Sequence, residues 1–263
     1  PSDAAAALKE VGTGTTQFAI SYEPDVILAR SQGIPVVAVG PLIPHPLNSI
    51  IVRAGPGIEN PRQLEGTTVG MTGLPLERPL LDTVVRDAGG DPARVRTKNV
   101  GFNLSPALAA DRVDAIIGAY WNIESVDLES QGIATRAFRL EEHGVPNYNE
   151  LVVVTSDRLA ADRPELVRSF LAALRRGQDW AATDQAGART HLMDANPDLD
   201  SDALKRQLAL TADLLSPPDG ETLAMQPAEW TAFIAWMTRN GLIERPVKVD
   251  AVMSTAFLPP ARD

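Results

Sequence analysis

The stretch that decides the fold is PALAADRVDAIIGAYWNIE, residues 106–124. It begins as a short Ala/Leu helix, passes through a polar turn and enters VDAIIG, an apolar run typical of a buried β-strand. Two amphipathic rings, an amide and a carboxylate follow within GAYWNIE (118–124), where a plain turn would use Gly, Asn or Pro. This concentration of aromatic and polar groups at a strand end indicates a recognition surface.

The same unit occurs near the start of the chain. AALKEVGTGTTQFAISYEP (6–24) also runs from an Ala/Leu helix through a polar turn into an apolar strand, ending in Tyr and then Glu. The two copies are about 100 residues apart, and such an internal repeat favours two similar α/β lobes that offer the same strand end to a shared cleft. Two unrelated helix–strand units that match by chance are the alternative.

Composition excludes several classes of function. The chain has 263 residues, 44% of them hydrophobic, which is enough for one large domain or two lobes. A formal net charge of −10 without a basic stripe argues against nucleic acid as a partner. The absence of cysteine removes thiol nucleophiles, disulfides and thiolate metal sites and fits an exported protein. The three histidines lack metal-ligand spacing, so no metal site is predicted.

Short β-branched runs alternate with amphipathic helices, the pattern of βαβ units and a mostly parallel sheet. After Asp157 the pattern changes to long helices, in which Trp180, Trp230 and Trp236 are predicted to be packing residues. The predicted strands are Gln17–Ser21, Val36–Val39, Ser49–Arg53, Thr68–Met71, Arg96–Val100, Ala115–Gly118, Arg136–Arg139 and Glu150–Thr155. The predicted helices are Ala4–Val11, Pro24–Ser31, Glu77–Ala88, Pro106–Ala110, Arg163–Thr183 and Ala228–Asn240.

All three tyrosines lie at or beside a strand terminus with a carboxylate at most four residues further on. They are Tyr22 in SYEP, Tyr120 in AYWNIE and Tyr148 in NYNE. In open α/β sheets ligands bind outside the carboxyl ends of the strands. Aromatic rings at these positions, the three tyrosines and Trp121, can sandwich a flat ligand. The carboxylates can accept hydrogen bonds from amino groups of the ligand. Tyr and Trp as ordinary rim residues are the alternative.

Two loops have the form of a strand end, a turn and a helix. TGLPLE begins at Thr72, and GFNLSPAL supplies Asn103 and Ser105, the latter predicted to be a helix N-cap. Both loops are expected to present backbone N–H groups to the cleft, although capping alone would also explain them. His45 lies in PLIPHPLNS, whose prolines stiffen an extended segment of the kind that connects lobes, and is a further candidate ligand contact.

Four stretches carry a resemblance to a known family. They are FAISYEPDVILARSQGIPVVAVGPLIPHPLNSIIV (18–52), PRQLEGTTVGMTG (61–73), GFNLSPALAADRVDAIIGAYWNIE (101–124) and HGVPNYNELVVVTS (143–156). The chain resembles the substrate-binding proteins of ABC importers that take up thiamine-pyrimidine precursors. Relatives in this group bind riboflavin or other flat heterocycles, and a eukaryotic branch makes the thiamine pyrimidine itself. The resemblance has specific motifs up to Asp157 and is looser through the helical tail.

The resemblance implies a type II periplasmic-binding fold, an α/β architecture of two lobes with a ligand cleft between them and a helical C-terminal tail. The expected lobes are residues 1–57 with 147–263, and residues 58–146. A first lobe that begins with the helix at Ala4 lacks the strand that precedes it in a βα repeat, so a first unit of about 30 residues is expected to be missing from the sequence. The resemblance also implies an exported monomer, periplasmic or attached to the outer face of the cytoplasmic membrane. Its partners would be a small heterocycle and a membrane permease, with no cofactor.

On this resemblance Glu150 in NYNELV is the first choice for the carboxylate that faces the amino edge of an aminopyrimidine. Tyr22, Tyr120 and Trp121 are the expected stacking faces, and Asn122 and Glu124 are second choices, with a hinge role as the alternative for Glu124. The complete set of candidate ligand residues is Tyr22, Glu23, His45, Thr72, Asn103, Tyr120, Trp121, Asn122, Glu124, Tyr148 and Glu150.

Two other functions compete with ligand binding for transport. The synthase branch of the resembled group carries a cysteine-rich motif tied to iron, together with an active-site lysine and histidine. This chain has no Cys, and no Lys lies between Lys9 and Lys98, which favours binding over catalysis. A periplasmic sensor lobe fused to a signalling partner is the third alternative.

Overall fold

The structure, a computed structural model, describes residues 4–199, 201–215 and 225–259, with side chains described for all of these except Ala4, Ala5, Ser201 and Asp213. The chain divides into two compact units. The first comprises Pro1–His45, Asn147–Leu199 and Leu208–Asp263, and the second comprises Pro46–Pro146 and Asp200–Gln207.

Strands and helices are interspersed up to residue 156, and among the described residues only helices follow. The strands are β1 Ala19–Ser21, β2 Val36–Ile43, β3 Asn48–Arg53, β4 Thr68–Met71, β5 Arg96–Asn99, β6 Ala115–Tyr120, β7 Thr135–Arg139 and β8 Leu151–Ser156. The helices are α1 Ala4–Thr13, α2 Glu23–Ser31, α3 Glu77–Asp87, α4 Leu104–Ala109, α5 Glu124–Ser130, α6 Asp157–Asp162, α7 Pro164–Thr183, α8 Gln185–Ala195, α9 Ser201–Leu215, α10 Pro227–Arg239 and α11 Val249–Val252.

The first unit contains a three-stranded sheet in the order β1-β8-β2. Both β1 and β2 run antiparallel to the central strand β8. Val37 and Val39 of β2 and Val153 of β8 pack with Val167 and Leu171 of α7 in a buried cluster. The amphipathic face of α7 therefore covers one side of this sheet.

The second unit contains a five-stranded sheet in the order β5-β4-β6-β3-β7. Strand β4 is parallel to β5 and β6, whereas β3 is antiparallel to β6 and β7. The buried cluster on this sheet joins apolar residues of β3, β6, α4 and α5 and the turn before β6. Its members are Ile51, Leu104, Ala107, Leu108, Val113, Ile116, Ala119 and Leu128.

The prediction of a mostly parallel sheet is wrong. Four of the six strand pairings among the described residues are antiparallel. All four involve β3 or β8, the strands by which the chain enters the second unit and returns to the first. Alternating helices and strands in the sequence do not encode the direction of a strand whose neighbours are distant in the chain, which is why the pattern was misleading.

Each of the eight strands in the described part of the chain lies where the sequence predicts one, with small differences at the ends. The second unit begins at Pro46 rather than near residue 58, because β3 pairs only with strands of that unit. Trp230 and Trp236 are buried as predicted, but Trp180 is 44% exposed, which corrects its assignment as a packing residue. Among the helices that the structure describes, none combines the length and apolar character required to cross a bilayer.

The repeated unit seen in the sequence is confirmed as local structure. In the first unit α1 leads into β1 and then α2, and in the second unit α4 leads into β6 and then α5. Glu23 and Glu124 are the first residues of α2 and α5, respectively. The two strand ends therefore present equivalent sequence positions, each with a tyrosine shortly before a helix that begins with glutamate.

Candidate functional site

In the first unit, Tyr148 and Glu150 lie buried in the segment that leads into β8. The Tyr148 hydroxyl donates a hydrogen bond to Glu150 Oε2 at 3.3 Å. The Tyr148 ring packs against Phe233 of α10, with 4.7 Å between ring centroids, and Phe233 stacks on Trp236 at 5.2 Å. This aromatic group holds the tyrosine whose hydroxyl orients the carboxylate.

Asn149, between these two residues, is the centre of a buried hydrogen-bond network. Its N–H donates to Glu23 Oε2 at 2.7 Å, and the Glu23 N–H donates to the Asn149 carbonyl at 3.3 Å. The Asn149 side-chain oxygen accepts from Trp230 Nε1 at 2.8 Å, while its amide nitrogen donates to the Pro44 carbonyl at 3.2 Å. These bonds fix the backbone at Asn149 and so restrict the residues on both sides of it.

Glu23 is fully buried, and its Oε1 accepts no hydrogen bond from any group that the structure describes. Burial raises the pKa of this carboxyl well above its ordinary value, the bond from the Asn149 N–H opposes that shift, and the charge of Glu229 adds to it. The hydrogen-bond partner of Glu23 is therefore the backbone of Asn149. This bond connects the start of α2 to the segment that leads into β8.

The other candidates of the first unit lie around the same segment. Tyr22 is half-buried at the N-cap position of α2, and its carbonyl accepts from the Val26 N–H at 3.0 Å. His45 is exposed, with its Nδ1 3.2 Å from Asn147 Oδ1. Through Asn147 and Asn149 the fold brings all five candidates of this unit to one segment, although they come from three separate parts of the sequence.

In the second unit, Glu77 at the start of α3 closes the loop that follows β4. Its Oε1 accepts from the Thr72 N–H at 3.0 Å and from the Thr72 hydroxyl at 2.6 Å. Its Oε2 accepts from the N–H groups of Gly73 and Leu74 at 2.9 and 3.0 Å. These N–H groups are bound by the protein's own carboxylate, which is contrary to the expectation that the loop offers them to a ligand. The contact closes the loop and is not a helix cap, because the N-cap residue Leu76 makes no side-chain capping bond.

Two glycines allow the ends of β5, β4 and β6 to approach each other. Gly118 in β6 has φ +88°, and a Cβ there would lie 2.4 Å from Glu77 Oε1. Gly73 has φ +98°, and a Cβ there would lie 2.4 Å from the side-chain nitrogen of Asn99 at the end of β5. Only glycine satisfies both the left-handed backbone and the short distance at these positions. The three strand ends thus form one continuous edge.

The turn between β6 and α5 is closed by a second glutamate. Glu124 Oε2 accepts from the Tyr120 N–H at 2.6 Å, and Asn122 is buried within the turn. Burial raises the pKa of Glu124, the bond from the Tyr120 N–H opposes the shift, and the charge of Asp127 adds to it. Glu124 therefore resembles Glu23 in position and in its bond to a backbone N–H.

Trp121 is the partly buried ring at the end of β6. Its Nε1 donates to the Pro46 carbonyl at 3.3 Å, and its backbone N–H donates to the Leu47 carbonyl at 3.0 Å. The guanidinium carbon of Arg139 lies 4.1 Å from the ring centroid, a cation–π contact that covers one face. A stacking ligand would have to use the opposite face of this ring.

Asn103 stands apart from these hydrogen-bonded turns. It is exposed at the N-cap position of α4 and makes no side-chain capping bond. The prediction that Ser105 is the N-cap is wrong, because α4 begins at Leu104. Within the described parts of the chain, no group of three or more His, Asp or Glu side chains is placed to hold a metal ion.

Four residues that shape these surfaces were not among the candidate ligand residues, although Trp230 was predicted to pack. Asn149 lies between two candidates in NYNE, so its position was a usable signal. Glu77 closes the TGLPLE loop within five residues of Thr72, so its proximity to the loop is visible in the sequence. Trp230 and Arg139 carry no local signal, because their partners are distant in the chain.

Comparison with known proteins identifies relatives of this chain. The family described as NMT1/THI5 like matches residues 1–188. Formylaminopyrimidine-binding protein of Halalkalibacterium halodurans is 30% identical over 259 residues, which cover 97% of this chain and 78% of that protein. The 4-amino-5-hydroxymethyl-2-methylpyrimidine phosphate synthase of Legionella pneumophila is 24% identical over 262 residues, covering 98% of this chain and 81% of the enzyme.

The fold is that of solved binding proteins. The alkanesulfonate-binding protein SsuA of Xanthomonas axonopodis, bound to MOPS, superposes with a TM-score of 0.74. The superposition covers 96% of this chain and 85% of that protein at 18% identity. This similarity confirms the periplasmic-binding-protein fold expected from the sequence.

Proposed function

The chain belongs to the NMT1/THI5-like family, and from that premise we propose that it is the substrate-binding component of an ABC importer for a flat nitrogen heterocycle. The proposed ligand is an aminopyrimidine of the thiamine-precursor type. One observation carries this proposal: the family match over residues 1–188 includes all the described strands and every candidate ligand residue. The relative named as a formylaminopyrimidine-binding protein supports the same ligand class.

The chemistry of the first unit suits this ligand. An aminopyrimidine presents a ring nitrogen beside an exocyclic amine, and a carboxylate can accept a hydrogen bond from that amine. Glu150 is the proposed acceptor, because it is buried and its Oε2 already accepts from Tyr148, which limits its rotation. Tyr22 is the proposed stacking ring of this unit.

We propose that the second unit supplies ligand contacts as well, with Tyr120 and the face of Trp121 opposite Arg139. The ligand-bound form would be recognised by a membrane permease, and the protein would act outside the cytoplasmic membrane.

Binding without catalysis is favoured over synthesis. The synthase relative is 24% identical, but this chain has no cysteine and therefore cannot form the cysteine-rich motif of the synthase branch. A riboflavin-type ligand is the second candidate, because ring stacking tolerates different flat heterocycles.

Native mass spectrometry of the purified protein, followed by calorimetric titration, tests the proposal. The probes are formylaminopyrimidine, 4-amino-5-hydroxymethyl-2-methylpyrimidine and riboflavin. A bound pyrimidine mass and saturable pyrimidine binding are the expected results. Binding of riboflavin alone would reassign the ligand, and no binding of any probe would refute the proposal.

The variant Glu150→Gln tests the assigned acceptor. We expect the pyrimidine affinity to fall by about 1–3 kcal/mol, the usual effect of a mismatched buried polar group. The matched control is Glu142→Gln, which makes the same charge change at an exposed position and should leave affinity unchanged. Equal affinities of the two variants would remove Glu150 from the site.

A further inference from the structure

Two large apolar side chains of the second unit are strongly exposed at the carboxyl edge of its sheet. Phe102 is 88% exposed, the highest value among the large apolar side chains in the described residues, and Leu74 is 57% exposed. Single apolar residues scattered on a protein surface need no explanation, whereas contiguous exposed apolar patches mark interaction sites or ligand-binding grooves.

Both side chains project from loops with defined hydrogen bonds. The Leu74 N–H is bound to Glu77 Oε2 at 3.0 Å. In the loop that carries Phe102, the Gly101 N–H donates to Asn99 Oδ1 at 2.9 Å and the Val100 N–H donates to the Met71 carbonyl at 2.9 Å. The exposure therefore belongs to ordered turns and is not a consequence of an unstructured segment.

The register of the sheet places the two loops side by side. Met71 and Asn99 are paired residues at the ends of the parallel strands β4 and β5. Leu74 and Phe102 each follow their paired residue by three positions. Through Gly73 and Gly118 the same edge continues to the end of β6, which carries the aromatic candidates for stacking.

We propose that Phe102 and Leu74 form an apolar contact surface for the heterocyclic ligand and that Phe102 is a specificity-determining residue. The inference rests on the proposed function and extends it to two residues outside the set of candidate ligand residues. Ligand pockets are lined mainly by apolar and aromatic side chains with few polar groups. At this edge the Thr72 hydroxyl and the Glu124 carboxylate already bond the protein, and Arg139 covers one face of Trp121. Phe102 adds an exposed ring at the same edge.

A contact at the rim of a site acts mainly on dissociation, since differences in affinity between related complexes appear chiefly in koff. Replacing Phe102 by Ala should raise koff and Kd for formylaminopyrimidine about tenfold or more, the effect of leaving a Phe-sized apolar contact unmade. Phe102→Tyr, which keeps the ring, should stay within about twofold of the wild-type Kd, because its stacking face is unchanged.

The experiment measures kon and koff by stopped-flow fluorescence for wild type, Phe102→Ala, Phe102→Tyr and the control Leu192→Ala. Leu192 is an exposed apolar residue of α8 in the first unit, so its truncation should leave both rates unchanged. Thermal melting should give equal midpoints for all four proteins, because the replaced side chains are exposed.

Unchanged koff in Phe102→Ala, with the wild type binding the probe, would overturn this inference while leaving the proposed function intact. Unchanged affinity with loss of uptake in cells would also overturn it and would assign Phe102 to contact with the permease. A wild-type protein that binds neither the pyrimidines nor riboflavin would refute the proposed function itself.

Discussion

The Glu77 carboxylate offers a direct test of how the strand edge of the second unit is held together. It accepts four hydrogen bonds from Thr72, Gly73 and Leu74, three of them from backbone N–H groups. Glu77→Gln keeps the size of the side chain but removes its charge and replaces one acceptor oxygen by an NH₂ donor. The glutamine then has a single acceptor oxygen for the four hydrogen-bond donors of the loop.

The loss can be worked out from this bond pattern. With the amide oxygen toward Gly73 and Leu74, the NH₂ group faces Thr72, whose hydroxyl can turn to accept but whose N–H is left without an acceptor. One unsatisfied N–H costs about 1–3 kcal/mol. Each remaining hydrogen bond also weakens, because its acceptor is a neutral amide oxygen instead of a charged carboxylate oxygen. We expect the free energy of unfolding to fall by about 3 kcal/mol, within the range of these contributions.

Urea unfolding followed by fluorescence gives the change in stability, and hydrogen exchange gives its location. The amides of residues 72–74 should exchange faster in the variant, because their acceptors are lost or weakened. Glu142→Gln, at an exposed position of the same unit, is the control and should change stability by less than about 0.5 kcal/mol.

A decrease in the free energy of unfolding below about 1 kcal/mol would contradict the expectation that the charged carboxylate of Glu77 stabilises this loop through four hydrogen bonds. Unchanged exchange at residues 72–74 would show that the loop is held by other contacts, even if global stability fell. Either result would remove Glu77 as the group that orders this edge.

Two further predictions concern the buried carboxyl group of Glu23 and the close approach of Gly118 to Glu77. The raised pKa of Glu23 means that the folded chain holds a proton that the unfolded chain releases, so the free energy of unfolding falls as pH rises from the ordinary carboxyl pKa to the raised value. Glu23→Gln should reduce the slope of unfolding free energy against pH by at most about 1.4 kcal/mol per pH unit, whereas the exposed control Glu244→Gln should leave the slope unchanged. The slopes are measured by urea unfolding at a series of pH values. Equal slopes for wild type and Glu23→Gln would contradict this prediction. Gly118→Ala should cost the left-handed backbone energy of about 1–2 kcal/mol and also displace Glu77, while Gly132→Ala, at φ +79° with nothing within 4 Å, should cost the backbone energy alone. Equal losses in thermal unfolding would show that the close approach at Gly118 has no energetic consequence.

The candidate residues divide by how far their partners lie along the chain. The bonds of Glu77 span three to five residues, so both partners stand within TGLPLE and the contact is local in sequence. The bond between Glu23 and Asn149 spans 126 positions, and that between Trp230 and Asn149 spans 81. Neither could be derived from local spacing, because it depends on which strands become neighbours.

The sequence by itself determined the positions of the described strands, the repeated helix–strand unit and the family, because hydrophobic periodicity and motif residues are local properties of the chain. Only the tertiary structure decided that β3 and β8 run antiparallel to their neighbours and that Glu23 bonds the backbone of Asn149. It also decided that Phe102 and Leu74 project from adjacent loops of one sheet edge. Strand order and register arise from the burial of many side chains at once, and no short segment of sequence contains that information.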